Sequence, residues 1–325
     1  MRFSLFRKKK SKNLFTLAFY NLENLFDAED NDHTLDEDFT PEGFKKWTPK
    51  RYLHKLGKLS KTIFEIGKDS NTHPPVLIGV AEAENKSVLQ DLIKNEPLAG
   101  IPYDFVHYES PDERGIDTAL IFHRKYFTIL NAEPLPLIIK NLDGARDTTR
   151  DILYVHGTLN GEEIHVFVNH WPSRRDGSDS TEYKRIIAAD VILKKISDIE
   201  ANTISPNFIV MGDFNDDPHS ASIQKLVAHS ALYNPMEKLH APKIRGSANY
   251  KKSWSLFDQI IISHNFFNYQ KGSHSFDKAN IYDDASLKEY KGKYKGSPFR
   301  TYAGSKYLGG YSDHFPVYII LKYNK

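Results

Sequence analysis

Residues 208–218 read Phe-Ile-Val-Met-Gly-Asp-Phe-Asn-Asp-Asp-Pro. The four apolar residues at the start form a continuous run, which is typical of a central strand buried on both faces. Asp213 and Asn215 follow at the point where that strand would end, and Asp217-Pro218 predicts a turn directly afterwards. Polar side chains in this position can cap the turn or serve a functional site, and the segment alone leaves both interpretations open.

The same pattern, a strand-like run that ends in carboxylates, amides or histidines, recurs along the chain. The polar residues concerned are Asn21-Leu22-Glu23-Asn24, Glu82-Ala83-Glu84-Asn85, Asn169-His170, Asp258-Gln259 and Ser312-Asp313-His314. Each segment has an ordinary explanation of its own: a turn residue, a surface charge, a core histidine or a hydrogen-bonded pair at a loop end. Asp258 is harder to explain in this way, because a carboxylate inside an apolar run needs a partner. Several independent coincidences at strand ends are less plausible than one shared site.

A shared site of this composition favours metal and phosphate chemistry. Oxygen ligands that converge from separate strands are what a hard cation such as Mg²⁺ requires. Neutral asparagine and histidine beside them can hold a phosphate without adding negative charge. Mn²⁺ accepts the same ligands, so the sequence leaves the choice between the two metals open.

Composition and charge bound the class of protein. The chain has 325 residues, of which 40% are hydrophobic and 13% aromatic, enough for a sizeable core and unlike collagen, a coiled coil or a disordered chain. Its 44 basic and 42 acidic residues give a net charge of +2, too small to argue for a nucleic-acid or membrane partner. The absence of cysteine excludes disulfides, thiolate zinc sites and cysteine nucleophiles.

The N-terminus carries a basic stretch ahead of a short apolar run, Leu14–Ala18. That run is too short for a signal peptide and lacks a small-x-small cleavage site, and no apolar run approaches the roughly 20 residues of a membrane-spanning helix. We therefore expect residues 1–12 to be a flexible basic tail and residues 13–325 to form a single domain. A cytoplasmic monomer without a stable protein partner is the default expectation.

Hydrophobic periodicity predicts an α/β fold in which helices flank two packed sheets. Asn160-Gly161 predicts the turn of a hairpin. Two stretches, Asp27–Trp47 and His264–Gly310, are expected to be long surface excursions. The predicted helices are Pro49–Gly67 and Tyr183–Ile199, and the predicted strands are Leu14–Asn21, Val76–Ala81, Tyr103–His107, Thr118–His123, Ile152–Leu159, Ile164–Asn169, Phe208–Gly212, Ser255–Ile262 and Pro316–Lys322.

The ordered polar motifs resemble those of the endonuclease/exonuclease/phosphatase superfamily, and the chain is most similar to bacterial members without an assigned substrate. The resemblance extends from Asn21 to Pro316, and Gly-Asp-Phe-Asn followed later by Ser-Asp-His-x-Pro is its most specific part. It implies a four-layer α/β sandwich of the deoxyribonuclease I type, in which two packed mixed β-sheets are flanked by helices. It also implies a divalent metal and hydrolysis of phosphoesters.

The resemblance implies roles for the matching residues. Glu82 would be the main metal ligand, with Asn21 and Asp313 nearby, and the metal would be Mg²⁺ or Mn²⁺. The other members of the set would be catalytic. Asp213 would orient or deprotonate the attacking water, Asn215 would bond the phosphate, His314 would bind phosphate or transfer a proton with Asp258 orienting it, and His170 would be a second histidine on the phosphate side.

Further polar residues near these motifs are candidates for substrate binding. Arg114 precedes a predicted strand and could meet a phosphate, or could equally form a surface ion pair. Asn169, Ser173 and Arg174 flank His170 in the sequence, which favours substrate contact. Arg300 lies shortly before the Ser-Asp-His motif and could clamp a nucleotide, although a loop anchored by its own tyrosines is an equal alternative.

These features together favour a Mg²⁺-dependent nuclease that acts on DNA or RNA. A phosphatase or phosphodiesterase for a small molecule or phospholipid headgroup is the main alternative, and a catalytically silent binding protein on the same fold is the other. His170 stands where abasic-site endonucleases usually carry tyrosine, and Gln259 stands where the usual motif has histidine, so the substrate cannot be transferred from one subfamily.

Overall fold

The computed structural model describes residues 11–141, 144–175 and 177–325. Most of the predicted basic tail, residues 1–10, lies outside the described residues. The α-helices of the described part are α1 (Pro49–Glu65), α2 (Lys86–Lys94), α3 (Ser178–Glu200) and α4 (Ala221–Val227), and short 3₁₀ helices cover Glu37–Phe39, Glu237–Leu239, His264–Phe267 and Ala285–Leu287.

Strands make up most of the remaining regular structure. In chain order they are β1 (Leu14–Leu25), β2 (Leu77–Ala83), β3 (Tyr103–His107), β4 (Asp117–His123), β5 (Phe127–Leu135), β6 (Ile139–Lys140), β7 (Arg146–Asp147), β8 (Ile152–Leu159), β9 (Glu162–His170), β10 (Phe208–Asp213), β11 (Leu232–Tyr233), β12 (Ala248–Tyr250), β13 (Ser253–Ser255), β14 (Asp258–Ser263), β15 (His274–Ile281), β16 (Tyr302–Ala303), β17 (Lys306–Tyr307) and β18 (Val317–Tyr323).

Two six-stranded sheets form the centre of the molecule. The first has the order β15-β18-β1-β2-β4-β3, and the second has the order β11-β14-β10-β9-β8-β5. Both are mixed: β1 runs parallel to β2 and β9 runs parallel to β10, whereas the other neighbours in each sheet are antiparallel. The predicted hairpin is confirmed, because β8 and β9 pair from Leu159 opposite Glu162 across Asn160-Gly161.

Side chains point alternately to the two faces of each strand, so the core is divided into three apolar layers. Phe19 of β1 and Met211 of β10 face each other between the sheets. Tyr20, on the opposite face of β1, packs with residues of α1 and α2, and Phe208 of β10 packs with residues of α3 and α4. The order helix, sheet, sheet, helix confirms the predicted four-layer α/β sandwich.

Helix α1 shows how the sequence sets one outer layer. Thr48 caps its first turn by accepting a hydrogen bond from the Arg51 N–H, and Pro49 occupies the first helical position, where a missing N–H costs nothing. Leu56, Leu59 and Ile63 are buried against the first sheet, as the spacing predicts. Leu53 has the same spacing in the sequence, which predicts that it belongs to this stripe, but that prediction is wrong, since Leu53 is 59% exposed.

The predicted excursion His264–Gly310 is wrong in one part. Its residues His274–Ile281 form β15, which pairs antiparallel with β18 at the edge of the first sheet. The strand β5, at the edge of the second sheet, was also not predicted. None of the helices in the described ranges is long and apolar enough to cross a membrane.

Gly212 permits the close approach of β9 and β10 just before the polar end of both strands. A Cβ at this position would meet the backbone carbonyl carbon and oxygen of Asn169 far inside van der Waals contact. We expect Gly212→Ala to destabilise the fold by about 3 kcal/mol, because backbone cannot move aside as a side chain would. Chemical denaturation measures this, with Gly100→Ala as the control, since a Cβ at Gly100 has nothing within 4 Å. Equal stability of the two variants would contradict the prediction.

Candidate active site

The polar strand ends meet at one edge of the two packed sheets. In the first sheet β1 and β2 run parallel and bring Asn21 opposite Ala81, one residue before Glu82. In the second sheet β9 and β10 also run parallel and bring His170 opposite Asp213. Because β14 runs antiparallel to β10, its first residue, Asp258, lies opposite Asp213 as well.

Asn21 connects the carboxylates of the two sheets. Its Nδ2 donates to Glu82 Oε1 at 3.2 Å and to Asp213 Oδ2 at 3.0 Å, and its Oδ1 accepts from the Glu23 N–H at 2.9 Å. In this arrangement the amide organises two carboxylates, whereas the predicted ligand role requires an oxygen directed to the metal.

Asp213 lies at the centre of the cluster and is almost fully buried. Its Oδ1 accepts from the Asn215 N–H at 2.9 Å, and its Oδ2 lies 3.9 Å from both His170 Nε2 and His314 Nδ1. Burial raises the pKa of Asp213 to about 6, with the charge of His314 opposing the shift and that of Asp258 adding to it. A carboxylate with a pKa near neutrality is suited to accept a proton from water.

His314 and Asp258 form a short ion pair. His314 Nδ1 lies 2.6 Å from Asp258 Oδ2, and the His314 N–H donates to Ser312 Oγ at 3.1 Å. Burial alone would lower the pKa of His314, but the carboxylates of Asp258 and Asp213 outweigh it and raise that pKa well above its usual range. The imidazole is therefore held as a cation beside Asp213.

His170 lies in the same cluster in the opposite protonation state. Its Nε2 is 3.7 Å from Glu82 Oε1 and its ring is buried. Burial lowers the pKa of His170 well below its usual range, and the nearby guanidinium groups of Arg150 and Arg114 lower it further. The cluster thus contains one neutral and one cationic imidazole, with a carboxylate between them.

The residues around Glu82 have the ligand chemistry of a site for a hard divalent cation. Glu82 Oε2 accepts from the Asn24 N–H at 2.8 Å, while Oε1 shares the Asn21 amide with Asp213. Two carboxylates that share one amide repel each other, and a divalent cation would relieve this repulsion. Asp313 is tied by one oxygen to Arg300, at 2.8 Å from its Nη2.

A second group of candidate metal ligands consists of Asp213, Asp258 and His314, whose ligand atoms all lie within 4.8 Å of one another. A cation among these three would have to displace the 2.6 Å hydrogen bond between His314 and the fully buried Asp258. The Glu82 side of the cluster therefore fits a cation better than this group does.

Asn215 and Asn169 occupy different environments. Asn215 adopts a positive φ of 50°, and its Nδ2 donates to the Trp171 carbonyl at 2.9 Å. The Asn169 side chain is fully buried, donating to the Met211 carbonyl and accepting from Trp171 Nε1. Asn169 therefore has no free polar atom to offer a substrate, unlike what its position in the sequence indicated.

The predicted substrate-binding residues are not equally available. Arg114 is 44% exposed on its side chain and lies 3.9 Å from Asp112. Ser173 lies at the surface, where its Oγ accepts from the Arg175 N–H at 3.3 Å. Arg174 is committed to the protein, since its guanidinium donates to the buried Asp216 at 2.6 and 3.1 Å.

Buried charges that the sequence motifs do not mark lie next to the site. Lys55 of α1 donates to the Glu23 carbonyl and to Thr301 Oγ1, and the Thr301 N–H donates to the Glu23 carboxylate at 2.6 Å. Burial raises the pKa of Glu23 to about 7, and the negative charge of Asp313 contributes. The one signal in the sequence was a lysine within the apolar stripe of a predicted helix.

Arg150 was also missed, and nothing in its local sequence marks it. Its Nη1 donates to Asp112 at 2.8 Å and its Nη2 lies 3.4 Å from the Trp171 carbonyl. It brings a buried positive charge to the His170 side of the site.

The fold and the cluster together indicate that this chain belongs to the class of phosphoester hydrolases. The chain belongs to the endonuclease/exonuclease/phosphatase family, since a sequence model of that family matches residues 16–323. Members of this family are phosphoester hydrolases. No curated protein shows a significant sequence match to this chain.

Solved structures share the fold at low sequence identity. An endonuclease/exonuclease/phosphatase family protein from Bacteroides thetaiotaomicron is 18% identical with a TM-score of 0.57, covering 97% of this chain and 100% of that one. A mannosyl-6-phosphatase from the same organism is 17% identical with a TM-score of 0.56, covering 95% and 100%. D. rerio TDP2 complexed with single strand DNA product is 16% identical with a TM-score of 0.57, covering 96% and 100%. At these identities the likeness shows the fold alone.

Proposed function

We propose that this chain is a divalent-metal-dependent nuclease that hydrolyses phosphodiesters in DNA or RNA. The observation that carries the proposal is the pair of imidazoles in opposite protonation states, with Asp213 3.9 Å from each. Such a site supplies a base and an acid at once, which hydrolysis of a phosphate ester by water needs. A protein that only binds its ligand would not require two buried imidazoles whose pKa values are shifted in opposite directions.

The proposed roles follow from the state of each group. Asp213 accepts the proton of the attacking water, and the amide of Asn215 holds a phosphate oxygen. His314, kept cationic by Asp258, donates a proton toward the phosphate as charge builds up there, and neutral His170 donates a hydrogen bond. A divalent cation bound by Glu82, with Asp313 nearby, would offset the negative charge of the phosphate.

Two features favour a nucleic acid over a small ester. The charges of Arg114 and Glu82 interact, and Arg300 contacts Asp313, so guanidinium groups lie near the cluster on more than one element. Ser173 is exposed and the side chain of Arg114 is 44% exposed, and we propose that both contact the flanking phosphates of a strand. The structural likeness to TDP2 complexed with single strand DNA product is consistent with such a substrate. We assign Asn169 and Arg174 to positioning, because both are bonded within the protein.

A phosphatase acting on a small molecule is the second candidate. The mannosyl-6-phosphatase shares the fold, and a cavity of about 190 Å³ lies beside Asp313. Lys45, Trp47 and Tyr302 are among the residues that line this cavity, and the Lys45 ammonium there donates to the Gly304 carbonyl at 2.8 Å.

The deciding experiment compares three substrates in the presence of Mg²⁺, of Mn²⁺ and of a chelator: supercoiled plasmid, a single-stranded oligonucleotide and bis-p-nitrophenyl phosphate. We expect metal-dependent cleavage of at least one nucleic acid and its complete loss with chelator, because uncompensated carboxylates repel an anionic substrate. Cleavage of the small ester alone would replace the nuclease with the second candidate. Undiminished activity in chelator would refute metal dependence.

A further inference from the structure

A loop beside the site carries alternating lysines and tyrosines. Residues 288–298 read Lys-Glu-Tyr-Lys-Gly-Lys-Tyr-Lys-Gly-Ser-Pro, and we call them the lysine–tyrosine loop. Tyr290 is 69% exposed and Tyr294 is 54% exposed. Exposed apolar residues scattered singly need no explanation, whereas exposed apolar groups close together on the surface can mark an interaction site.

The loop is held at its base and has a defined position. Lys288 pairs with Pro298 as a β-bridge, the Glu289 N–H donates to the Ser297 carbonyl at 2.8 Å, and the Gly296 N–H donates to the Glu289 carbonyl at 2.8 Å. Ser297 Oγ also bonds to Asn249 Oδ1 at 3.3 Å, which links the loop to the hairpin of β12 and β13.

A groove leads from this loop to the catalytic cluster. It has a volume of about 430 Å³, and Tyr294 and Tyr250 line it together with Arg300 and Asp313. Tyr250, on the β12–β13 hairpin, is 74% exposed. The groove reaches Asp313, which directly precedes His314 in the chain, and the hairpin that carries Tyr250 begins at Ala248, which bridges to His314.

The charge of the loop is available to a ligand. Among the ion pairs of the described residues, Lys291, Lys293 and Lys295 have no carboxylate partner, unlike Lys288, which pairs with Asp283 at 2.8 Å. Lys291 and Lys293 instead lie over the rings of Tyr290 and Tyr294, at 5.2 and 5.5 Å from the ring centres. Interleaved cations and aromatic rings suit a strand whose phosphates and bases alternate.

We propose that the lysine–tyrosine loop binds single-stranded nucleic acid and guides it through the groove to His314. The tyrosines stack on unpaired bases and the lysines neutralise the phosphates. A duplex would offer the phosphates but hide the base faces, so the tyrosines select single strands. This inference rests on the proposed nuclease function and names the form of nucleic acid that the site receives.

The test measures binding of fluorescein-labelled single-stranded and duplex DNA by anisotropy, in chelator and over a range of salt concentrations. In Tyr290→Ala/Tyr294→Ala the affinity for a 20-nucleotide single strand should fall by about tenfold or more, since stacking contributes per base. In Lys291→Gln/Lys293→Gln/Lys295→Gln the fall of log affinity with log salt should become less steep, its slope changing by about two. The reason is that about 0.7 counterion is released per neutralised phosphate of a single strand. Hydrolysis of bis-p-nitrophenyl phosphate should stay unchanged in both variants.

The matched control replaces three exposed lysines away from the groove, Lys94→Gln/Lys271→Gln/Lys322→Gln, and should keep wild-type affinity and slope. If the wild-type enzyme cleaves nucleic acid but the loop variants bind it like the control, the loop proposal fails and the nuclease stands. If the tyrosine variant loses duplex affinity as much as single-strand affinity, the stacking role is refuted. If wild type neither binds nor cleaves nucleic acid while it hydrolyses the small ester, the proposed nuclease fails, and the loop proposal with it.

Discussion

Asp213→Ala is expected to lower turnover by about 10³-fold or more without unfolding the protein. The loss follows from the position of Asp213, which is the one carboxylate within 4 Å of both imidazoles among the described residues. Removing a general base of this kind typically costs 10²–10⁴-fold, and Asp213 also orients Asn215 through the Asn215 N–H. Steady-state kinetics on the substrate cleaved by the wild type measures the effect.

Asp213→Ala should lower turnover but not thermal stability, and its effect on thermal stability should depend on pH. Because burial raises the pKa of Asp213 from an ordinary value of 3.8 to about 6, the folded state binds a proton more tightly than the unfolded state does. The carboxylate therefore penalises folding fully above about pH 6, and the penalty disappears as the pH falls toward 4. We expect the alanine variant to melt at an equal or higher temperature than wild type at pH 8, and to lose that advantage at pH 4.

The matched control for this prediction is Asp277→Ala, on the exposed face of the edge strand β15. It should keep both the turnover and the pH dependence of stability of the wild type. An Asp213→Ala variant with near-wild-type turnover would remove the proposed base, and one that melts far below wild type at every pH would show that Asp213 is mainly structural.

The sequence predicted the central strands better than the edge strands for a physical reason. A central strand such as β10 is buried on both faces, so its apolar run is continuous and its bounds are clear. The edge strands β5 and β15 bury few of their residues and alternate with polar side chains, so their signal resembles that of a loop. What defines an edge strand is its partner in the sheet, which lies far away in the sequence.

The sequence predicts which residues share the candidate site wherever the fold alone brings those residues together. Strand ends converge by topology, so the sequence pattern is sufficient to group Glu82, His170 and Asp213. Whether a polar side chain then faces a ligand depends on its partners. Asn169 and Arg174 share their neighbourhood with His170, yet each bonds to groups that are distant in the sequence.

Stability and function are in conflict across this cluster. Asp213 and His314 are buried charged groups, and burying a charge costs free energy of folding. Neighbouring charges and hydrogen bonds offset part of that cost for each of them. Asp258 is fully buried and its Oδ2 lies 2.6 Å from His314 Nδ1, so we propose that it holds His314 as a cation. The strongest test of this interpretation acts on Asp258 and not on the histidine itself.

Asp258→Asn is expected to lower kcat/KM by about 10²–10⁴-fold at pH 8.5 and by clearly less at pH 6.5. With the nearest carboxylate neutralised, burial becomes the dominant influence on His314 and lowers its pKa. The imidazolium then loses its proton at a lower pH, so the alkaline limb of the pH–rate profile moves toward acid. The amide keeps the size of the carboxyl group, so the packing around it should be retained.

Two comparisons make the Asp258→Asn prediction decisive. Glu163→Gln alters an exposed carboxylate 3.4 Å from His156 and should leave the pH–rate profile unchanged. His314→Gln should lose at least as much activity as Asp258→Asn, and the double variant should be no worse than His314→Gln alone, because the pair acts as a unit. If the single losses instead add in the double variant, or if the alkaline limb does not move, then Asp258 does not act through the charge of His314.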